Sequence, residues 1–196
     1  MPSTPSIAVF ASGRGSNLAA LFAAHDRGDL TIPIALVISN NSGAQALSLA
    51  RDRGVPTAHI SARTHEDPGA AMVAALTGAG VSVVVLAGYM KLLDPRVVRA
   101  FPGRVLNIHP APLPTFGGPG MYGLRVHEAV IASGVAQTGP TVHLVDEEYD
   151  KGEVLAFRPV SVDEADDAET LAQRVLDTEH DLLWRVLQER FADGSE

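Results

Sequence analysis

Along the first half of the chain, short apolar runs alternate with segments whose apolar residues recur every three or four positions. Ile7 to Ala11, "IAVFA", is apolar without a break. It passes through "SGRGSN" into an Ala- and Leu-rich segment from Leu18 to Ala24, which reads as strand, glycine turn, helix. Ile34 to Ser39 repeats the strand signal, Ala44 to Arg53 predicts a helix stopped by Gly54, and Thr57 to Ile60 a short third strand. Glu66 to Leu76 predicts a helix and Val81 to Ala87 the most hydrophobic strand. Asp94 to Ala100 predicts a short helix ahead of "RVLNIH". Strands that are apolar on both faces and alternate with helices belong in a parallel sheet covered on both sides.

The pattern then changes. Gly123 to Ser133 suits a helix, whereas Thr138 to Val145 alternates polar and apolar residues as a half-exposed strand does. Val154 to Val160 is its expected partner across a turn at Asp150 to Gly152. A closing helix from Ala168 to Phe191 carries an apolar stripe of Leu171, Val175, Leu182, Val186 and Leu187. The expected architecture is α/β, a doubly wound, mostly parallel, Rossmann-like sheet with an antiparallel C-terminal extension. With no repeat or long linker in sight, residues 1–196 read as a single domain.

Composition narrows the function. At 46% hydrophobic and 19% charged residues, with apolar runs too short to span a bilayer, the chain reads as soluble, with no membrane partner. A net charge of -8 gives no electrostatic footprint for nucleic acid, because phosphate backbones are held by clustered Lys and Arg. No cysteine is present, which removes disulfides and thiolate metal sites. No secretory leader is read before Ile7, and a cytoplasmic location is expected. The oligomeric state stays open.

The first candidate site is the glycine turn. Gly13, Gly15 and Ser16 stand where a parallel strand hands over to a helix, so glycine allows close backbone approach and the first helical N–H groups face the ligand. A dinucleotide site would want a third glycine where Leu18 stands and an acid where "SNNS" runs from Ser39 to Ser42. The lysine of a triphosphate loop is missing as well. A monophosphate held by backbone amides, helped by Ser16 or Asn17, fits the turn; a plain helix cap is the alternative.

The second candidate is "VLNIHPAPLP", Val105 to Pro114. Asn107 and His109 lie two apart at the carboxyl end of a strand, where doubly wound sheets bind ligands, so both side chains point to one face. An amide donor beside an imidazole suits acyl transfer, which needs hydrogen bonds to a developing oxyanion and a proton donor matched to neutral pH. Pro110, Pro112 and Pro114 stiffen the loop that follows. In "TVHLVDEEYDKG" a strand ends in an acidic turn from which Asp150 could return a carboxylate towards His109. A charge about 4 Å away is worth roughly 4 kcal/mol at an effective dielectric near 20, enough to raise a histidine pKa. A solvated acidic turn is the alternative, and sequence alone does not place Asp150 beside His109.

In order along the chain, "SGRGSNL", "VVLAGYMKLL", "LNIHPAPLP", "GPTVHLVDEEYDKG" and "TEH" resemble the phosphoribosylglycinamide formyltransferases of purine biosynthesis. The resemblance covers nearly the whole chain and implies transfer of a formyl group from 10-formyltetrahydrofolate, as cosubstrate, to the amine of glycinamide ribonucleotide, without a metal. It makes His109 the proton donor, Asn107 the oxyanion partner, and Asp150 the residue that raises the histidine pKa and orders a proton-carrying water. It assigns the substrate phosphate to Gly15, Ser16 and Asn17 and the ribose hydroxyls to Glu179. The folate is implied to lie against Met90, Lys91, Leu92, Leu93 and Asn107, with Val145, Asp146 and Glu147 in the opposite wall, which runs on to Asp150. Arg63 matches a folate-tail arginine through an Arg-x-x-x-Asp pattern ending at Asp67. Leu113–Pro114 resembles a family cis-proline site.

The chain departs from the family at Leu176, where relatives often carry Lys or Gln, and in the longer segment "FGGPGMYGLRVHEA". His127 in that segment could touch a ligand, although a helix-surface role is the favoured reading, and His143 reads as a supporting neighbour of Asp150. His25, His59, His65 and His180 show no metal-binding spacing. A formyltetrahydrofolate deformylase, a methionyl-tRNA formyltransferase and a non-catalytic nucleotide-binding module are the rival readings.

Overall fold

In the computed structural model, which describes residues 5–148 and 150–192, five strands form a parallel run: β1 (Ile7–Phe10), β2 (Ile34–Ser39), β3 (Thr57–His59), β4 (Val83–Leu86) and β5 (Val105–His109). Tyr149 of the acidic segment lies outside the described residues. Two further strands, β7 (Thr141–Leu144) and β8 (Val154–Phe157), extend the sheet antiparallel, giving the order β3-β2-β1-β4-β5-β7-β8. The expected mixed sheet with an antiparallel extension is the one observed. β1 sits between β2 and β4, so the chain winds outward in both directions and leaves a crevice beyond the carboxyl ends of β1 and β4.

Six helices complete the chain: α1 (Ser16–Arg27), α2 (Gln45–Asp52), α3 (Pro68–Gly78), α4 (Pro95–Ala100), α5 (Leu124–Ser133) and α6 (Ala168–Phe191). Because strand side chains alternate faces, β1 buries Ile7 and Val9 against α1, α2 and α6, and Ala8 and Phe10 against α3 and α4. A third apolar cluster joins Val126 and Val130 of α5 to Leu171 and Val175 of α6, with Phe116 between them. The predicted stripe on α6 is buried throughout. That helix starts at a capping box in which Asp167 and Thr170 exchange side-chain and backbone hydrogen bonds. Asp67 and Asp94 cap α3 and α4, each followed by proline at the first helical position.

Two expectations are corrected. Thr138 to Val145 is not one half-exposed strand. β7 lies between β5 and β8, where Thr141, Val142 and His143 are all buried, and Gly139–Pro140 separates it from β6 (Gln137–Thr138). A Cβ on Gly139 would come 1.9 Å from the Arg158 carbonyl oxygen, so the crossing is glycine's alone. The predicted partner strand likewise divides: after β8 the chain enters β9 (Val160–Ser161), which pairs with β6 in a small second sheet.

Candidate active site

The crevice is a cleft of about 630 Å³. Its lining includes Gly15, Ser16, Asn17, Glu179, Met90, Lys91, Leu92, Leu93, Asn107, His109, Val145, Asp146 and Asp150. Three strand ends supply most of these groups. β1 leads into the glycine turn, β4 into Ala87 to Leu93, and β5 delivers Asn107 and His109.

Gly15 caps α1 in the left-handed region, φ 80°, and a Cβ there would come 2.9 Å from the Cα and Cβ of Ala46. Only glycine lets the turn pass so close to α2 while the first amides of α1 stay free for a ligand. No side chain caps this helix, so Ser16 and Asn17 are not spent as caps. Asn17 Nδ2 instead donates to Glu179 Oε2 across 2.7 Å, and Asn17 Oδ1 is buried without a partner among the described residues. Burial raises the Glu179 carboxyl to about 7, against which the Asn17 hydrogen bond works only in part.

The β5–β7 register sets Asn107 opposite His143. A carbonyl can only accept, so the 2.9 Å contact from His143 Nδ1 to the Leu144 oxygen fixes the proton on Nδ1 of the neutral ring. His143 Nε2 then accepts from Asn107 Nδ2 at 3.0 Å, which orients the Asn107 amide. By the same logic His109 Nε2 donates to the Phe116 carbonyl at 2.8 Å, leaving Nδ1 to face Asp150 Oδ2 at 3.8 Å.

Asp150 sits in the left-handed region at φ 54°, a conformation aspartate tolerates better than most side chains. Its carboxylate accepts from the Gly118 amide at 2.9 Å and lies 3.5 Å from Asn107 Nδ2 and 3.6 Å from His143 Nε2. Burial pushes its pKa up, but the facing His143 ring, the Gly118 amide and the positive charge that His109 carries when protonated outweigh it and hold the carboxyl below its ordinary value.

Asp150 pulls the His109 pKa up, but not far enough to set its net direction. The upward effect expected of Asp150 is present, yet the net displacement is downward. Burial dominates, and the attraction of Asp150 with the Phe116 hydrogen bond offsets only part of it. The resting ring is therefore a neutral donor, and a proton on Nδ1 becomes favourable when more negative charge arrives beside it.

One residue of the expected folate wall lies outside the cleft, and Arg63 lies beside it. Glu147 points out of the cleft, because Arg99 holds it through hydrogen bonds of 2.8 and 3.2 Å, and Glu148 lines the cleft instead. Arg63 lies in an adjoining depression that shares Met90 to Leu93 with the main cleft. Asp67, which ends the Arg-x-x-x-Asp pattern, is bound by Arg96 at 2.6 Å and caps α3.

His127 departs furthest from expectation. It is only 4% exposed, lines the cleft, and is held neutral with a pKa pushed down to about 4, chiefly by burial. The sequence signal was present: Leu124, Val130 and Ile131 share its helix face at spacings of three and four. Gly118, whose amide anchors Asp150, and Ser12, whose Oγ accepts from the Met90 amide at 2.8 Å, carried no such signal. The Leu113–Pro114 bond is cis. Among the described residues no cluster of three or more His, Asp or Glu is arranged to hold a metal ion, and no helix is long and apolar enough to cross a membrane.

Residues 6–187 match the formyl transferase family. A chloroplastic phosphoribosylglycinamide formyltransferase from Vigna unguiculata is 43% identical over 185 residues, covering 93% of this chain and 59% of its own length. The chain thus spans about three fifths of the plant relative. The phosphoribosylglycinamide formyltransferase of Haemophilus influenzae is 34% identical, with 93% of this chain and 85% of the relative covered. The crystal structure of phosphoribosylglycinamide formyltransferase from Bacillus halodurans superposes with a TM-score of 0.89 at 34% identity, covering 97% of both chains.

Proposed function

The chain belongs to the formyl transferase family, and we propose that it transfers a formyl group from 10-formyltetrahydrofolate to the amine of glycinamide ribonucleotide. The observation that carries this reading is the meeting of Asn107, His109 and Asp150 within 3.8 Å contacts in a cleft that also holds the glycine turn and Glu179. The names of the relatives support the same substrates.

In this reading the neutral glycinamide amine attacks the formyl carbon. A carbon–nitrogen bond forms while the carbonyl electron pair moves onto oxygen. Asn107 Nδ2 and the protonated Nδ1 of His109 donate to that oxyanion, whose charge favours the imidazolium that burial otherwise suppresses. Nε2–H stays with the Phe116 carbonyl and keeps the ring in place. Collapse breaks the bond from the formyl carbon to the folate nitrogen, and Asp150, through water, passes the amine proton to that leaving nitrogen. Gly15, Ser16 and Asn17 hold the phosphate, and Glu179 with the unpartnered Asn17 Oδ1 accepts from the ribose hydroxyls. Met90 and Leu92, about half exposed, offer apolar surface to the pterin beside Leu93, Val145 and Asp146.

Thermal-shift titration tests the reading. A formyl-folate analogue and glycinamide ribonucleotide, added separately, each raise the melting temperature. Stabilisation by the nucleotide alone points to a non-catalytic binding module instead.

A further inference from the structure

The wall that α5 and α6 present to the cleft is mostly apolar. It comprises Leu124, Ala172 and Leu176 with only two polar side chains, His127 and Glu179. Glu179 is engaged by Asn17. His127 is buried to 4% exposure, and its Nδ1 has no hydrogen-bond partner among the described residues. A buried imidazole nitrogen left unpaired costs on the order of a hydrogen bond, and the ring that carries it lines the cleft, where a ligand group can pair with the imidazole.

The chemistry of that group follows from what the ring can offer. Burial keeps the imidazole neutral, with one donor and one acceptor, so it is a poor match for a phosphate. The phosphate has the turn amides at Gly15 and Ser16, and a diol has the Glu179 carboxylate. Phe116, whose carbonyl holds His109 Nε2, shares one apolar cluster with Val126 and Val130 on either side of His127, which puts the imidazole near the reacting centre rather than at the phosphate end. Between the two ends of an amine-bearing glycinamide ribonucleotide lies a carboxamide, with one C=O acceptor and one N–H donor, the complement of a neutral imidazole.

Resting on the functional reading above, we propose that His127 is a substrate-binding residue that hydrogen-bonds the carboxamide of the amine substrate and so holds the nucleophilic amine in front of His109. Its effect belongs to one substrate. In the functional reading above the folate lies against Met90 to Leu93 and Val145, which follow β4 and β7 and are not part of α5.

Steady-state kinetics on the full chain tests this, with each substrate varied in turn for the wild type, His127→Phe and His127→Gln, and with folding checked by circular dichroism. His127→Phe raises the KM for glycinamide ribonucleotide about tenfold or more while the KM for 10-formyltetrahydrofolate stays within about twofold. His127→Gln, which keeps an amide nitrogen within reach, recovers most of the loss. An independent reading needs no variant: the His127 ring nitrogen resonances of the wild type shift on adding glycinamide ribonucleotide and not on adding the folate alone. An unchanged amine KM in a folded His127→Phe protein, or ring resonances indifferent to the nucleotide, overturns the proposal. A wild type with no amine-dependent transfer overturns the functional reading itself, a distinguishable failure.

Discussion

His109 Nδ1 stands 3.8 Å from Asp150 Oδ2 while the other ring nitrogen is committed to the Phe116 carbonyl. The ring can therefore take up a proton at Nδ1 only, and it does so facing a carboxylate. Burial and this carboxylate act on the imidazole in opposite directions, and burial prevails.

Asp150→Asn removes the one charge that raises the His109 pKa, so the midpoint of the ring moves further down. A ring-proton NMR titration reads that midpoint directly, and an upward displacement contradicts the assignment. The unfolded ring takes its proton near pH ~6.5 and the folded ring at lower pH, so acid favours unfolding. The His109 contribution to stability is complete above pH ~6.5 and is lost as pH falls, more steeply in the Asn variant.

Gly117→Ala tests how tightly Asp150 is held. The added Cβ would lie 2.5 Å from Leu113 Cδ2 and 2.9 Å from Asp150 Cβ. The leucine tip can swing away, whereas the aspartate has to move with its backbone. Overpacking of this kind costs about 1–3 kcal/mol. Turnover falls by more than the change in melting temperature implies; activity that tracks stability alone would refute this placement.

Glu179→Gln separates a buried carboxyl from its hydrogen bonds. The folded carboxyl titrates near about 7 and the unfolded one near 4.5, so the native state binds the extra proton between those values. Its contribution is fully present below the unfolded value and lost as pH rises through about 7, a term on the order of 3 kcal/mol. Glutamine stays neutral throughout. The melting temperature of the variant relative to wild type therefore climbs between pH ~5 and ~8, and a flat difference would count against the burial argument.

His109→Ala removes one oxyanion donor, a loss of about 3–4 kcal/mol, or turnover lower by a hundredfold or more. Circular dichroism and melting curves check that the variant folds, since it also loses the Phe116 contact. A folded variant with full activity would remove His109 from the chemistry.

The sheet was legible because β1, β2, β4 and β5 are apolar on both faces and each is followed by helical spacing. β7 was misjudged because alternation normally marks a solvated face. Here the polar members Thr141 and His143 are buried by hydrogen bonding, Thr141 Oγ1 to the Ala111 carbonyl and His143 to Asn107 and Leu144. Asn107 and His109 were legible as a strand-end pair, but their meeting with Asp150 depends on strand register and on a left-handed residue, neither of which spacing encodes. The pairing of Asp67 with Arg96 was not legible, because the two are 29 residues apart in sequence. His127 was open to either a ligand contact or the helix surface, and the apolar neighbours that share its helix face are what bury it.

The most direct test is turnover of 10-formyltetrahydrofolate by the purified chain, with product identified by mass, in the presence and absence of glycinamide ribonucleotide. Formyl transfer that requires the amine and yields the formylated nucleotide is the predicted result. Loss of the formyl group at the same rate without the amine, releasing formate, would contradict the account and make the chain a hydrolase.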